Sequence, residues 1–151
     1  MNRTLYLNRC RITLVILISA AFLASCKTTD ATRPTVEVVG EQVTVPGGSY
    51  TNVTPAELDT MLMNKDFTLI NVHIPFEGKI VQTDLIIPYD QINQNQFEFP
   101  ADKNAKIVLY CRSGHMSDSA AKTLINLGYA NIWNLAGGMV AWENADLPIE
   151  H

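Results

Sequence analysis

Cysteines stand at positions 10, 26 and 111, and only the last lies in a setting built for reaction. Residues 106–110 (KIVLY) form a continuous apolar run, the mark of a strand buried on both faces. Cys111 follows directly, ahead of Arg112, Ser113, Gly114, His115, Met116 and Ser117. Residues 117–127 then carry Ala120, Ala121, Leu124, Ile125 and Leu127 at helical spacing, with Gly128 as the stop. The thiol therefore falls in a strand–loop–helix turn. A helix N-terminus supplies unpaired N–H groups and the positive end of a dipole. Gly114 lets the backbone fold back so that successive N–H groups face the sulfur. Arg112 and His115 add positive charge, while Asp118 in the first helical turn opposes it. On balance these features favour the thiolate, the nucleophilic form of cysteine. An inert buried cysteine at a strand end is the alternative, and the neighbouring Arg, Gly and helix start weigh against it. Cys111, His115 and His73 fall at no familiar ligand spacing, so no metal or other cofactor is expected.

The other two cysteines belong to a different story. Arg3, Arg9 and Arg11 make a positive n-region, and the 12 residues from Ile12 to Leu23 are nearly all apolar. That run is short of the ~18–20 residues a permanent membrane helix needs, and reads as a secretory signal peptide over 1–25. Leu23-Ala24-Ser25-Cys26 resembles the bacterial lipobox, in which the cysteine takes a diacylglyceryl group and becomes the new N-terminus. An ordinary cleaved signal or an uncleaved anchor is the alternative. Lys27, rather than Asp, follows the cysteine, which points to the outer membrane in a Gram-negative source. Cleavage would remove Cys10 and acylation would block Cys26, leaving Cys111 as the one free thiol.

Composition narrows the class. The 151 residues amount to about one domain, and 47% hydrophobic against 17% charged is a folded composition. The net charge of −4 argues against a nucleic-acid binder. Losing Arg3, Arg9 and Arg11 leaves 8 basic against 15 acidic residues, a net −7, so membrane attachment must come from lipid rather than charge.

The elements that must hold Cys111 alternate. A polar tether over 26–49 ends at Pro46-Gly47-Gly48, and residues 36–45 within it predict a weak edge hairpin turning at Gly40. The compact domain spans 50–151. Strands are expected at 51–53, 67–73, 84–87, 106–110 and 131–135. Thr54 caps a helix with Pro55 at its first position and Glu57 in its first turn, running to about Asn64. Residues 88–94 read as a loop or short helix. Further helices are expected at 117–127 and 138–144. This rhythm predicts an α/β fold, a small parallel sheet flanked by helices on both faces. Ligands of such sheets bind beyond the carboxyl ends of the strands, where Cys111 lies.

Three motifs over residues 50–148 carry a resemblance. They are Cys111-Arg112-Ser113-Gly114-His115-Met116-Ser117, Gly137-Gly138-Met139-Val140-Ala141-Trp142, and Leu69-Ile70-Asn71-Val72-His73-Ile74-Pro75-Phe76-Glu77. Together they resemble the single-domain rhodanese (thiosulfate sulfurtransferase-like) family, with its C-x-x-G-x-R-S loop. The resemblance implies the three-layer rhodanese-like fold, with Cys111 as the catalytic nucleophile. It would take a sulfane sulfur from thiosulfate or a persulfide and hand it to a thiol or cyanide, with no cofactor. Backbone N–H groups of residues 112–116 would hold the terminal sulfur.

The departures are specific. Met116 stands where the family has an anion-binding Arg, and a thioether cannot replace a guanidinium. Arg112 is expected to compensate. Asn71 and His73 replace an Asp and an Arg, so an ion pair of the family is missing, and His73 reads as a hydrogen-bonded structural residue. Trp142 reads as packing. A cysteine phosphatase would need C-x5-R, but Ser117 holds that position. The remaining rival is a non-catalytic module that binds a sulfur species or a protein partner through the same pocket.

Overall fold

A computed structural model describes residues 38–151. The signal segment 1–25, Cys26 and the tether as far as residue 37 lie outside the described residues. Among the described residues no helix is long and apolar enough to cross a membrane.

The chain enters through a hairpin, β1 (Glu41–Val45) and β2 (Gly48–Val53), paired antiparallel from Glu41–Asn52 to Val45–Gly48. The turn is Pro46-Gly47, not Gly40 as the sequence led us to expect. Proline followed by glycine is the pairing that a tight turn needs at its two central positions. Residues assigned to the tether therefore supply an edge strand of the sheet. Helix α1 (Pro55–Leu62) begins as expected, with Thr54 and Glu57 forming a reciprocal capping box.

Strands β3 (Thr68–Asn71), β5 (Leu85–Ile86), β6 (Ile107–Tyr110) and β7 (Ile132–Leu135) complete a six-stranded sheet of order β1-β2-β7-β6-β3-β5. All its pairs except β1–β2 are parallel. Strand β6 lies between β7 and β3. Its Ile107 and Leu109 join one core cluster with Ala120, Ala121, Leu124 and Ile125 of α2 (His115–Asn126). Its Val108 and Tyr110 join a second cluster with Leu58 and Leu62 of α1, and with Met139 and Trp142 of α3 (Gly138–Asn144). Burial on both sides explains the unbroken apolar run, and helices cover both faces of the sheet.

Two features differ from the sequence expectation. Strand β3 ends at Asn71; Val72 still donates to Tyr110 O at 2.8 Å, and from His73 on the Asn71 side chain takes over. It accepts the His73 N–H at 2.9 Å and donates to Gly78 O at 2.9 Å, closing the 72–78 loop. Beyond that loop, β4 (Lys79–Ile80) pairs antiparallel with β8 (Ile149–Glu150) in a separate two-stranded ribbon. Pairs of two residues are too short to leave a periodic signal. In residues 88–94 no helix forms, and a single 3₁₀ turn follows at Gln96–Glu98.

Candidate functional site

Cys111 follows the last residue of β6 and is buried. Its Sγ accepts the Gly114 N–H at 3.1 Å. Gly114 makes this possible with a left-handed φ of 98°, a conformation that favours glycine. Helix α2 starts at His115, two residues earlier than the sequence indicated, so His115, Met116 and Ser117 form its first turn rather than a loop. Their N–H groups have no acceptors within the helix. Ser117 Oγ lies 3.6 Å from Sγ and 3.0 Å from Gly114 O. One hydroxyl proton serves both acceptors, so a small rotation turns Ser117 into a second donor to sulfur. The connection is short enough to wrap a sulfur-sized anion in N–H groups.

The loop rests on α3. Met139 N–H donates to Cys111 O and Val140 N–H donates to Arg112 O, both at 2.9 Å. These are first-turn amides that a short helix would otherwise leave unpaired. The contact demands Gly138, whose φ is +58°. A Cβ there would sit 2.7 Å from Arg112 O and press into Cys111 O, both backbone atoms that cannot swing aside. The paired glycines were visible as a motif, but their role as the seat of the cysteine loop was not.

Tyr110 fixes the strand end from the other side. Its hydroxyl accepts the Ile80 N–H at 3.0 Å and lies 2.7 Å from Thr83 Oγ1. Thr83 spends its proton on Ile80 O, so Tyr110 is the donor to Thr83.

Charges around the loop are arranged differently from expectation. Arg112 Nη1 lies 3.0 Å from Glu77 Oε2, so its guanidinium is paired rather than left over for an incoming anion. The buried His73 makes no ring hydrogen bond to another protein group of ordinary geometry. Its Nε2 lies 3.5 Å from the same Glu77 oxygen. Met116 is half-buried and packs on the α2-side core, which a guanidinium would not do. His115 and Ser113 are exposed. Trp142 is buried and donates through Nε1 to Pro148 O at 3.0 Å, a packing role as expected. Among the described residues no group of three His, Cys, Asp or Glu side chains is placed to hold a metal ion.

Asp118 does not stand bare beside the sulfur. Tyr50 from β2 donates its hydroxyl to Oδ1, and Lys122 Nζ pairs with Oδ2 at 2.7 Å. Burial pushes the Asp118 carboxyl up, but hydrogen bonds from Lys122 and Tyr50, with the charges of Lys122 and His115, hold it below the usual range. Burial, the Asp118 hydrogen bond and its charge push the Tyr50 phenol up to about 12. Glu77 is legible in the sequence only as the end of the Leu69–Glu77 motif and not as the partner of Arg112, and Tyr50 carries no spacing signal of its own.

Two outcomes follow from this geometry. Gly138→Ala should cost at least ~1–2 kcal/mol from the left-handed backbone alone, with the clash added, as measured by urea denaturation. Unchanged stability would mean the loop does not depend on this contact. Asp118 has a lowered folded value, so its stabilisation is present above the unfolded value near 3.8 and is lost as pH falls through the folded one. Tyr50 works the other way: its contribution is complete below pH 10 and disappears as pH rises toward 12. Tyr50→Phe should therefore move the Asp118 carboxyl titration upward in NMR and remove the alkaline loss. An unmoved titration would leave Lys122 as the only effective partner.

Comparison with known proteins agrees with this architecture. The family model described as the rhodanese-like domain matches residues 54–145. A sulfurtransferase of Allochromatium vinosum is 34% identical over 87 residues, covering 56% of this chain and 79% of that protein. The thiosulfate sulfurtransferase GlpE of Vibrio cholerae is 34% identical over 92 residues, covering 60% of this chain and 85% of GlpE. The crystal structure of a rhodanese-like domain protein from Staphylococcus aureus superposes with a TM-score of 0.55 at 29% identity, covering 66% of this chain and 98% of that one. On the fold, the strand–loop–helix around Cys111 and these matches, the chain belongs to the rhodanese-like domain family.

Proposed function

We propose that this protein is a sulfurtransferase that carries sulfane sulfur as a persulfide on Cys111. The observation that supports this reading is the Gly114 N–H donated to Sγ at 3.1 Å in front of the first turn of α2. The Cys111 thiolate attacks the outer sulfur of a donor. A new S–S bond forms, the donor's S–S bond breaks, and the leaving group departs with the electron pair as sulfite from thiosulfate or as a thiolate from a persulfide. The outer sulfur then bears the negative charge, which the N–H groups of the loop and helix start would receive. A thiol or cyanide acceptor removes the sulfur and returns the thiolate, so the cycle is ping-pong. No step calls for a metal or organic cofactor.

Mass spectrometry of the purified protein after exposure to polysulfide tests this. Wild type should gain one sulfur and Cys111→Ala should gain none. A protein that never takes up sulfur on Cys111 is instead a rhodanese-like binding module, a role that Met116 and the paired Arg112 would suit.

We also propose that the domain is tethered outside the cytoplasm through acyl chains on Cys26, on the strength of the n-region, apolar run and lipobox in the sequence. Cys26→Ser should abolish incorporation of a clickable fatty acid. Absence of label from wild type would refute the anchor.

A further inference from the structure

Arg112 is the one Lys or Arg within residues 111–117, and Met116 removes the usual second cation. The attraction of the loop's one permanent cation for an anionic donor therefore depends on where that guanidinium points. It points at Glu77, with Nη1 3.0 Å from Oε2. Glu77 comes from a fixed stretch of backbone. Its carbonyl accepts from His151 Nδ1 at 3.2 Å, the next residue's carbonyl accepts from Asn71 Nδ2 at 2.9 Å, and β4 then pairs with β8. The same carboxylate oxygen lies 3.5 Å from the buried His73 Nε2. A carboxylate held in this way keeps its partner better than one on a flexible surface chain. The pair presents little net charge to an approaching anion. Phe76, next to Glu77 in the chain, and Val140, whose N–H bonds Arg112 O, are both exposed.

We infer that Glu77 determines the donor class of this site by pairing with Arg112 and offsetting its charge, which selects alkyl persulfides of low charge over the thiosulfate dianion. The inference rests on the sulfurtransferase reading of Cys111. Both donors react with the same thiolate at their outer sulfur, one releasing sulfite and the other an alkyl thiolate. Only the approach of the dianion needs a free cation. An alkyl persulfide carries less charge and has no such need.

Steady-state kinetics with thiosulfate and with the persulfide of 2-mercaptoethanol test the assignment. Glu77→Gln frees Arg112 and should raise the thiosulfate-to-persulfide ratio of kcat/KM about tenfold, mainly through the KM for thiosulfate. Glu77→Asp keeps the charge and should stay near the wild-type ratio. Adding Arg112→Ala to Glu77→Gln should cancel the gain, because the effect acts through that guanidinium. Glu77→Ala gives an independent reading should the Gln variant fold poorly. A ratio that ignores Glu77, in protein that takes sulfur from the persulfide onto Cys111, would overturn this inference alone. Failure of every variant to load Cys111 from either donor would overturn the sulfurtransferase reading and this inference with it.

Discussion

The cysteine loop depends on one close approach of backbone to backbone. Helix α3 begins directly beneath residues 111 and 112, near enough for Met139 and Val140 to donate to their carbonyls and for Gly138 to leave no room for a side chain. With its carbonyls held from below, the loop turns the Gly114 N–H the other way, toward the sulfur. Gly114 completes the turn and α2 contributes the amides of its first turn. Satisfying polar groups on one side of the loop is what frees the donors on the other. Strand β6 keeps this assembly in register, because both of its faces are buried and its end is pinned through Tyr110 to the segment after β4.

Such a loop obtains its electrostatic character from backbone dipoles more than from side-chain charge. The ionisable groups nearest to it are compensated in pairs. Asp118 is matched by Lys122 and Tyr50, and Arg112 by Glu77. Exposed pairs of this kind contribute little to stability. Their effect is local: they remove both the carboxylate that would repel a thiolate and the guanidinium that would attract a dianion. Against Sγ itself stand the neutral Gly114 N–H and one adaptable hydroxyl, Ser117. That environment suits a single diffuse negative charge on sulfur.

The sequence was most legible where one interaction dominates a stretch of chain. The unbroken run before Cys111, the capping box at Thr54 and the Gly128 stop each follow from local chemistry, and β6, the start of α1 and the end of α2 lie where those signals put them. Legibility failed where a long-range partner decides the outcome. Strand β1 pairs through Pro46-Gly47 because β2 needs an edge partner, which no window around Gly40 reveals. The start of α2 moved forward because Gly114, rather than a polar side chain, precedes its first residue. Arg112 and His73 were read by residue type, and neither type foretells that a single carboxylate from Glu77 lies against both.

The central claim is that the amides of Gly114 to Ser117 receive the charge of a sulfur carried on Cys111. Two-dimensional NMR of uniformly labelled protein, recorded before and after loading with polysulfide, reads those amides directly. The amide protons of residues 114–117 should shift downfield together on loading, return when a thiol acceptor is added, and stay still in Cys111→Ser. Amides that remain fixed while Cys111 carries sulfur, or shifts centred away from the β6–α2 turn, would contradict the account.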